Sequence, residues 1–174
     1  SEVFHRKGGF DVVIANPPYG ADIDKMLPEL RPIYFEAIRN YAEIYKMFMQ
    51  LGMRKVRRDG IQTLITPNTF LAQPRYKDIR SVLLQFEIVK IVNLGEGVFE
   101  NVVVPTCLSF IVRHLPSNAY VFADLSKESK FLGDFRTILF RQISLDRVKS
   151  SKDLSLYFGK ELRDGQILFA DALE

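Results

Sequence analysis

Residues 10–20 read FDVVIANPPYG. The first six form a short apolar run after Gly8 and Gly9, the pattern of a parallel strand buried on both faces. The turn that follows is stiff and polar. Asn16 precedes a proline, so its backbone is pushed extended. Pro17 and Pro18 have no N–H and a fixed φ. The carbonyls of Asn16 and Pro17 are therefore poorly placed for local pairing, and the Asn16 amide adds an acceptor oxygen of its own. A rigid cluster of acceptors beside the flat ring of Tyr19 suits a planar ligand bearing an NH2 group. In an open α/β sheet, ligands bind beyond the carboxyl ends of the strands, which is where this turn lies. A bare Pro-Pro pair reads as a simple chain reversal; the apolar strand directly before Asn16 favours a site.

Downstream, apolar residues recur in steps of three and four as Tyr34, Ile38, Tyr41, Tyr45 and Phe48. That spacing predicts one long amphipathic helix from Tyr34 to Val56, with a basic end and a stop at Asp59-Gly60. IQTLIT (61–66) reads as the next strand. Pro74 opens a further helix, with Tyr76, Ile79, Leu83 and Phe86 on its inner face. IVKIVNL (88–94) and PTCLSFIVR (105–113) read as two more strands. About ten residues join them, too few for a helical crossover, so they are expected to be antiparallel neighbours. The alternation is that of an α/β sheet. AYVFADL (119–125) and TILFRQI (137–143) are weaker strand candidates, and the polar stretch after Leu145 has no readable pattern.

Composition sets the outer limits. The chain has 174 residues, 47% hydrophobic and 26% charged, with a net charge of +3. That is an ordinary globular balance, which allows a nucleic-acid partner without demanding one. No apolar run approaches the ~20 residues of a membrane span, so no membrane contact is expected. A lone cysteine, Cys107, excludes an intrachain disulfide framework and fits a reducing cytoplasm. His5 and His114 with that one thiol do not make a zinc site, so no metal is expected.

Three segments together carry a family resemblance: FDVVIANPPYG, RRDGIQTLITPNTFL and RYKDIRSVLLQFEIVKIVNLGEGVFENVVVPTCLSFIV. The first resembles the catalytic motif of amino-directed, S-adenosylmethionine-dependent methyltransferases. With the other two, from Gly8 to Arg113, the chain resembles the TaqI-like branch of DNA adenine-N6 methyltransferases, which includes enzymes of restriction-modification systems. The resemblance implies a partial Rossmann-like α/β sheet, parallel with one antiparallel strand. It implies methyl transfer from S-adenosylmethionine to the N6 amino group of an adenine flipped out of double-stranded DNA. Asn16, Pro17, Pro18 and Tyr19 would form the catalytic motif, with the Asn16 side chain and Pro17 carbonyl accepting from the amino group and Asn16 also facing the cofactor. Tyr19 would stack on the base. Phe99 falls where the family places a second aromatic; its other reading is a core phenylalanine at a strand end. Methyltransferases acting on RNA guanine or protein glutamine share Asn-Pro-Pro-Tyr, and a non-catalytic scaffold built on half the fold is a third reading.

The family's glycine-rich cofactor loop and ribose-binding acid precede the Asn-Pro-Pro-Tyr strand, and only fifteen residues do so here. The expectation is thus the latter half of a catalytic domain over 1–116, lacking the cofactor-binding half, and inactive in isolation. Residues 117–174 would be an extension or linker towards a target-recognition domain. The sheet would then have an unprotected edge at FDVVIA, open to self-association. Gly95-x-Gly97 lacks a third glycine and reads as a loop. Residues 128–130 (ESK) are a weak match to half of a nuclease site. The basic runs 54–58 and 75–80 read as solvated helix faces or phosphate contacts.

Overall fold

The Asn-Pro-Pro-Tyr strand stands at the rim of a seven-stranded sheet. The computed structural model describes residues 2–99, 103–127, 138–158 and 166–168. After a short helix α1 (Glu2–Lys7), the strands are β1 (Phe10–Ala15), β2 (Val56–Pro67), β3 (Glu87–Gly95), β4 (Thr106–Val112), β5 (Ala119–Asp124), β6 (Leu139–Ser144) and β7 (Gln166–Leu168). Their spatial order is β1-β2-β4-β3-β5-β6-β7. β1 and β2 pair in parallel, as do β3 and β5. β4 lies antiparallel between β2 and β3, as its short connection to β3 requires. The sheet is thus the expected parallel array with an antiparallel β4, extended by a second reversed strand, β6. β5 to β7 continue the sheet, so residues after 117 build onto it.

Helices α2 (Leu27–Ile38), α3 (Ile44–Lys55) and α4 (Lys77–Leu83) pack on one face. Ile38, Tyr45, Met49, Met53, Leu64, Ile79 and Ile111 form the centre of that core. The other face carries a smaller cluster around Val92, Ala123 and Phe140. The alternation of Ile91 and Val92 between the clusters is the two-residue period of a strand buried on both sides.

Three expectations need correction. The helix predicted over 34–56 is two helices, α2 and α3, broken at residues 39–43. The break is set from outside. Asp78 accepts the Asn40 N–H at 2.9 Å and pairs with the buried Lys46 ammonium at 2.8 Å, while Lys46 also reaches the Tyr41 carbonyl at 2.5 Å. The turn Asp59-Gly60 does not stop a helix. It lies inside β2, where the register against β1 shifts, and a side chain at Gly60 would strike the Asp11 carbonyl. Finally, β1 is not buried on both faces: Phe10, Val12 and Ile14 are exposed, and among the described residues β1 is the edge strand, paired with β2.

Candidate active site

β1 ends at Ala15, and the next four residues pass over the carboxyl end of β2. Pro17 is buried and seats the turn, while Asn16, Pro18 and Gly20 are exposed. The Asn16 amide therefore stands at the open end of the sheet. Gly20, at φ +62°, reverses the chain in a conformation glycine adopts without strain. Tyr19 is half-buried and donates its hydroxyl to the Ile65 carbonyl on β2 at 3.0 Å. Burial, with a smaller contribution from nearby Cys107, pushes the Tyr19 phenol up to about 12. The ring is a neutral, anchored plate at neutral pH.

Phe99 lies on the connection from β3 to β4 and meets Tyr19 edge to face, with centroids 6.4 Å apart and planes at 64°. The two aromatic side chains singled out in the sequence, eighty positions apart, thus come together above the carboxyl ends of β1 and β2. Phe99 is half-buried and belongs to neither core cluster. Gly95, the last residue of β3, and Gly97, in the loop that leads to it, adopt φ +73° and +76°.

A polar chain missed by the sequence reading joins the ends of β2, β3 and β5. Asn68, just past β2, donates to Asn93 on β3 at 2.8 Å, and Asn93 donates to Asp124 at the end of β5 at 3.0 Å. Asp124 also accepts from the Ser126 amide and hydroxyl and from the Tyr157 hydroxyl. Burial opposes the charge on Asp124, but these donors outweigh it and hold the carboxyl below its usual range. A lone amide inside the apolar run IVKIVNL was the signal available, since a buried amide needs partners.

The basic runs behave differently from either reading at one position. Arg80 is buried and gives its guanidinium to the carbonyls of Phe70, Gln73 and Asp153, so it is a clamp and not a phosphate contact. Arg75 is exposed and stacks on Tyr41, its guanidinium 4.5 Å from the ring centroid. Residues 128–130 lie outside the described residues. Among the described residues no cluster of His, Cys, Asp or Glu is arranged to hold a metal, and no helix is long and apolar enough to cross a membrane.

The family model for Eco57I restriction-modification methylases matches residues 1–99, more than half of the chain. The chain belongs to that family. The matched span takes in the Asn-Pro-Pro-Tyr turn, β2, β3 and Phe99. A Methanocaldococcus jannaschii protein, named as a candidate type II restriction enzyme and methyltransferase, is 25% identical over 143 residues, or 80% of this chain. The chain spans only 12% of that relative's length. Among solved structures, the type IIG restriction endonuclease BpuSI is similar over 84% of this chain and 20% of its own, at 16% identity and a TM-score of 0.65. A candidate class I S-adenosylmethionine-dependent methyltransferase of Listeria monocytogenes is similar over 68% of this chain and 38% of its own, at 20% identity and a TM-score of 0.55. These two likenesses show the fold: an α/β sheet similar to that of S-adenosylmethionine-dependent methyltransferases.

Proposed function

We propose that this Eco57I-family chain carries the amino-methylating part of a DNA adenine-N6 methyltransferase. The observation that carries the reading is the juxtaposition at one sheet end of the Asn16-Pro17 acceptors with the Tyr19–Phe99 ring pair. The Asn16 side-chain oxygen and the Pro17 carbonyl accept hydrogen bonds from the two N–H groups of a flipped adenine's amino group. Those bonds draw the nitrogen lone pair out of conjugation with the ring and aim it at the methyl carbon. The acceptors act electrostatically where positive charge develops on nitrogen, so no strong base is needed before attack, and the methylated nitrogen releases one proton to solvent afterwards. Pro18 keeps the turn rigid. Tyr19 stacks on the base, and Phe99, set at 64° to the Tyr19 ring, packs against the base edge-on, replacing part of the stacking lost from the duplex.

S-adenosylmethionine, when bound, supplies an electrophilic methyl group on a sulfonium. The exposed Asn16 amide fits the acceptor side of such a pocket, and the described residues hold no glycine-rich cradle. Residues 1–116 then belong to the catalytic domain and 117–174 extend it towards a domain that reads the DNA sequence. The test is Asn16→Ala in the intact protein. Methyl incorporation into duplex DNA should fall by more than about a hundredfold, the scale of losing a transition-state hydrogen-bond partner, with circular dichroism unchanged. Retained turnover removes Asn16 from the mechanism.

A further inference from the structure

Both rings of the site are held from one strand end. Ile65 on β2 receives the Tyr19 hydroxyl, and three residues later Asn68 holds the β3–β4 connection that bears Phe99. Asn68 grips that connection at both stems. Its backbone N–H donates to the Pro105 carbonyl at 2.9 Å, just before β4. Its side-chain Nδ2 donates to Asn93 Oδ1 at 2.8 Å, near the end of β3. Asn93 is buried and passes its own N–H to Asp124 at 3.0 Å. Position 93 must accept from one amide and donate to a carboxylate at once, which a side-chain amide does and neither a carboxylate nor an aliphatic group can. The same stem is locked again one step on. Gly95 lies against Ser126, where an added Cβ would sit 2.6 Å from the Ser126 Cα, and Ser126 in turn bonds Asp124.

A satisfied, partly buried chain of this kind specifies one geometry more than it adds stability. The geometry here is that of the neck below Phe99. We propose that Asn68 and Asn93 are positioning residues: they close the neck of the β3–β4 connection and so set where Phe99 stands against Tyr19 in the ring pair that takes the planar base. This rests on the reading of Tyr19 and Phe99 as the stacking pair.

The test has two arms. The chain contains no tryptophan, so Phe99→Trp places a single indole on the connection. Acrylamide quenching of that indole is measured in the 174-residue chain, alone and combined with Asn68→Ala or Asn93→Leu. Either neck variant should raise the quenching constant by about twofold or more, as a locally released loop opens to solvent. Val148→Ala, at a buried position of helix α5 (Leu145–Ser150), should leave it unchanged. No change with either neck variant overturns the proposal, whatever the enzyme methylates. The second arm is a double-mutant cycle on methyl transfer by the intact protein. Asn68→Ala should lower kcat about tenfold with the KM for the methyl donor unmoved, and should add little in a Phe99→Ala background, because the two act on one feature. Fully additive losses show that Asn68 does not act through Phe99. A wild-type protein that transfers no methyl to adenine refutes the substrate assignment instead, and the quenching arm then decides the neck by itself.

Discussion

Asp78→Ala should remove most of the stability of this chain. The Asp78 carboxylate and the Lys46 ammonium are both fully buried, with contacts of 2.8 and 2.9 Å. Asp78 also accepts the Asn40 N–H at 2.9 Å and the Ile79 N–H at 2.8 Å. Removing the carboxylate leaves the ammonium with the Tyr41 carbonyl and the face of the Tyr76 ring, a loss of about 3–5 kcal/mol for a broken buried pair. Lys46 can escape by giving up its proton, at roughly 1.36 kcal/mol for each pH unit below 10.4, or about 4.6 kcal/mol at pH 7. The two estimates agree. The orphaned Asn40 N–H adds about 1 kcal/mol or more. Against a typical ~5–15 kcal/mol for a domain, the variant should be marginal or unfolded at 37 °C. The pH dependence has a definite sign. With its folded pKa depressed below the unfolded value, Lys46 in the variant destabilises more as pH falls, so Asp78→Ala should be firmer at pH 9 than at pH 7. Urea denaturation followed by circular dichroism reads both effects. Lys46→Met with Asp78→Leu should recover most of the loss, because no charge is then stranded. A single-variant loss below about 1 kcal/mol, or no recovery in the pair, refutes the view that this ion pair pins the helix break.

Three further expectations concern the site and its surroundings. The Tyr19 phenol, raised to about 12 by burial and by Cys107, contributes stability below the ordinary phenol pKa near 10 that is lost as pH rises through 12; this alkaline step should vanish in Tyr19→Phe, and a Tyr19 that titrates near 10 contradicts the anchored hydroxyl. Cys107 is fully buried, its thiol pushed up to about 12 by burial despite the Thr66 hydroxyl at 3.8 Å; thiol reagents should label it only at the rate of unfolding, and rapid labelling of the native chain argues against its place in the core. The exposed Phe10, Val12 and Ile14 on a strand that, among the described residues, is the sheet edge and pairs with β2 should make the isolated chain associate with concentration; light scattering from a clean monomer at high concentration speaks against it.

The strands were legible because their signals are local. FDVVIA, IQTLIT and IVKIVNL are apolar runs bounded by turns, and the short β3–β4 connection dictated an antiparallel pair. The Asn-Pro-Pro-Tyr turn was legible for the same reason: proline fixes backbone geometry within a few residues. The helix break at 39–43 was hidden because the apolar period runs through it from Ile38 to Tyr41 and Tyr45, while the group that enforces it, Asp78, lies thirty-eight residues from Asn40. Arg80 looked like a surface cation because nothing near it in sequence announces the carbonyls of Phe70 and Asp153 that enclose it. The segment after Leu145 had no readable pattern, although it opens with helix α5. Its place depends on distant anchors, the Tyr120 hydroxyl to Leu156 at 2.6 Å and the Leu156 N–H to Leu71 at 2.7 Å. Phe99 was found by resemblance, and its meeting with Tyr19 required the fold.

The central claim is that Asn16, Pro17 and Tyr19 present an adenine amino group for methylation. The most direct measurement is to incubate the intact protein with labelled S-adenosylmethionine and duplex DNA, digest the DNA to nucleosides and identify the labelled product, beside parallel reactions with RNA and protein. The account predicts label in N6-methyladenine, lost in Asn16→Ala. Label in RNA guanine or protein glutamine, or label that persists in adenine without Asn16, would contradict it.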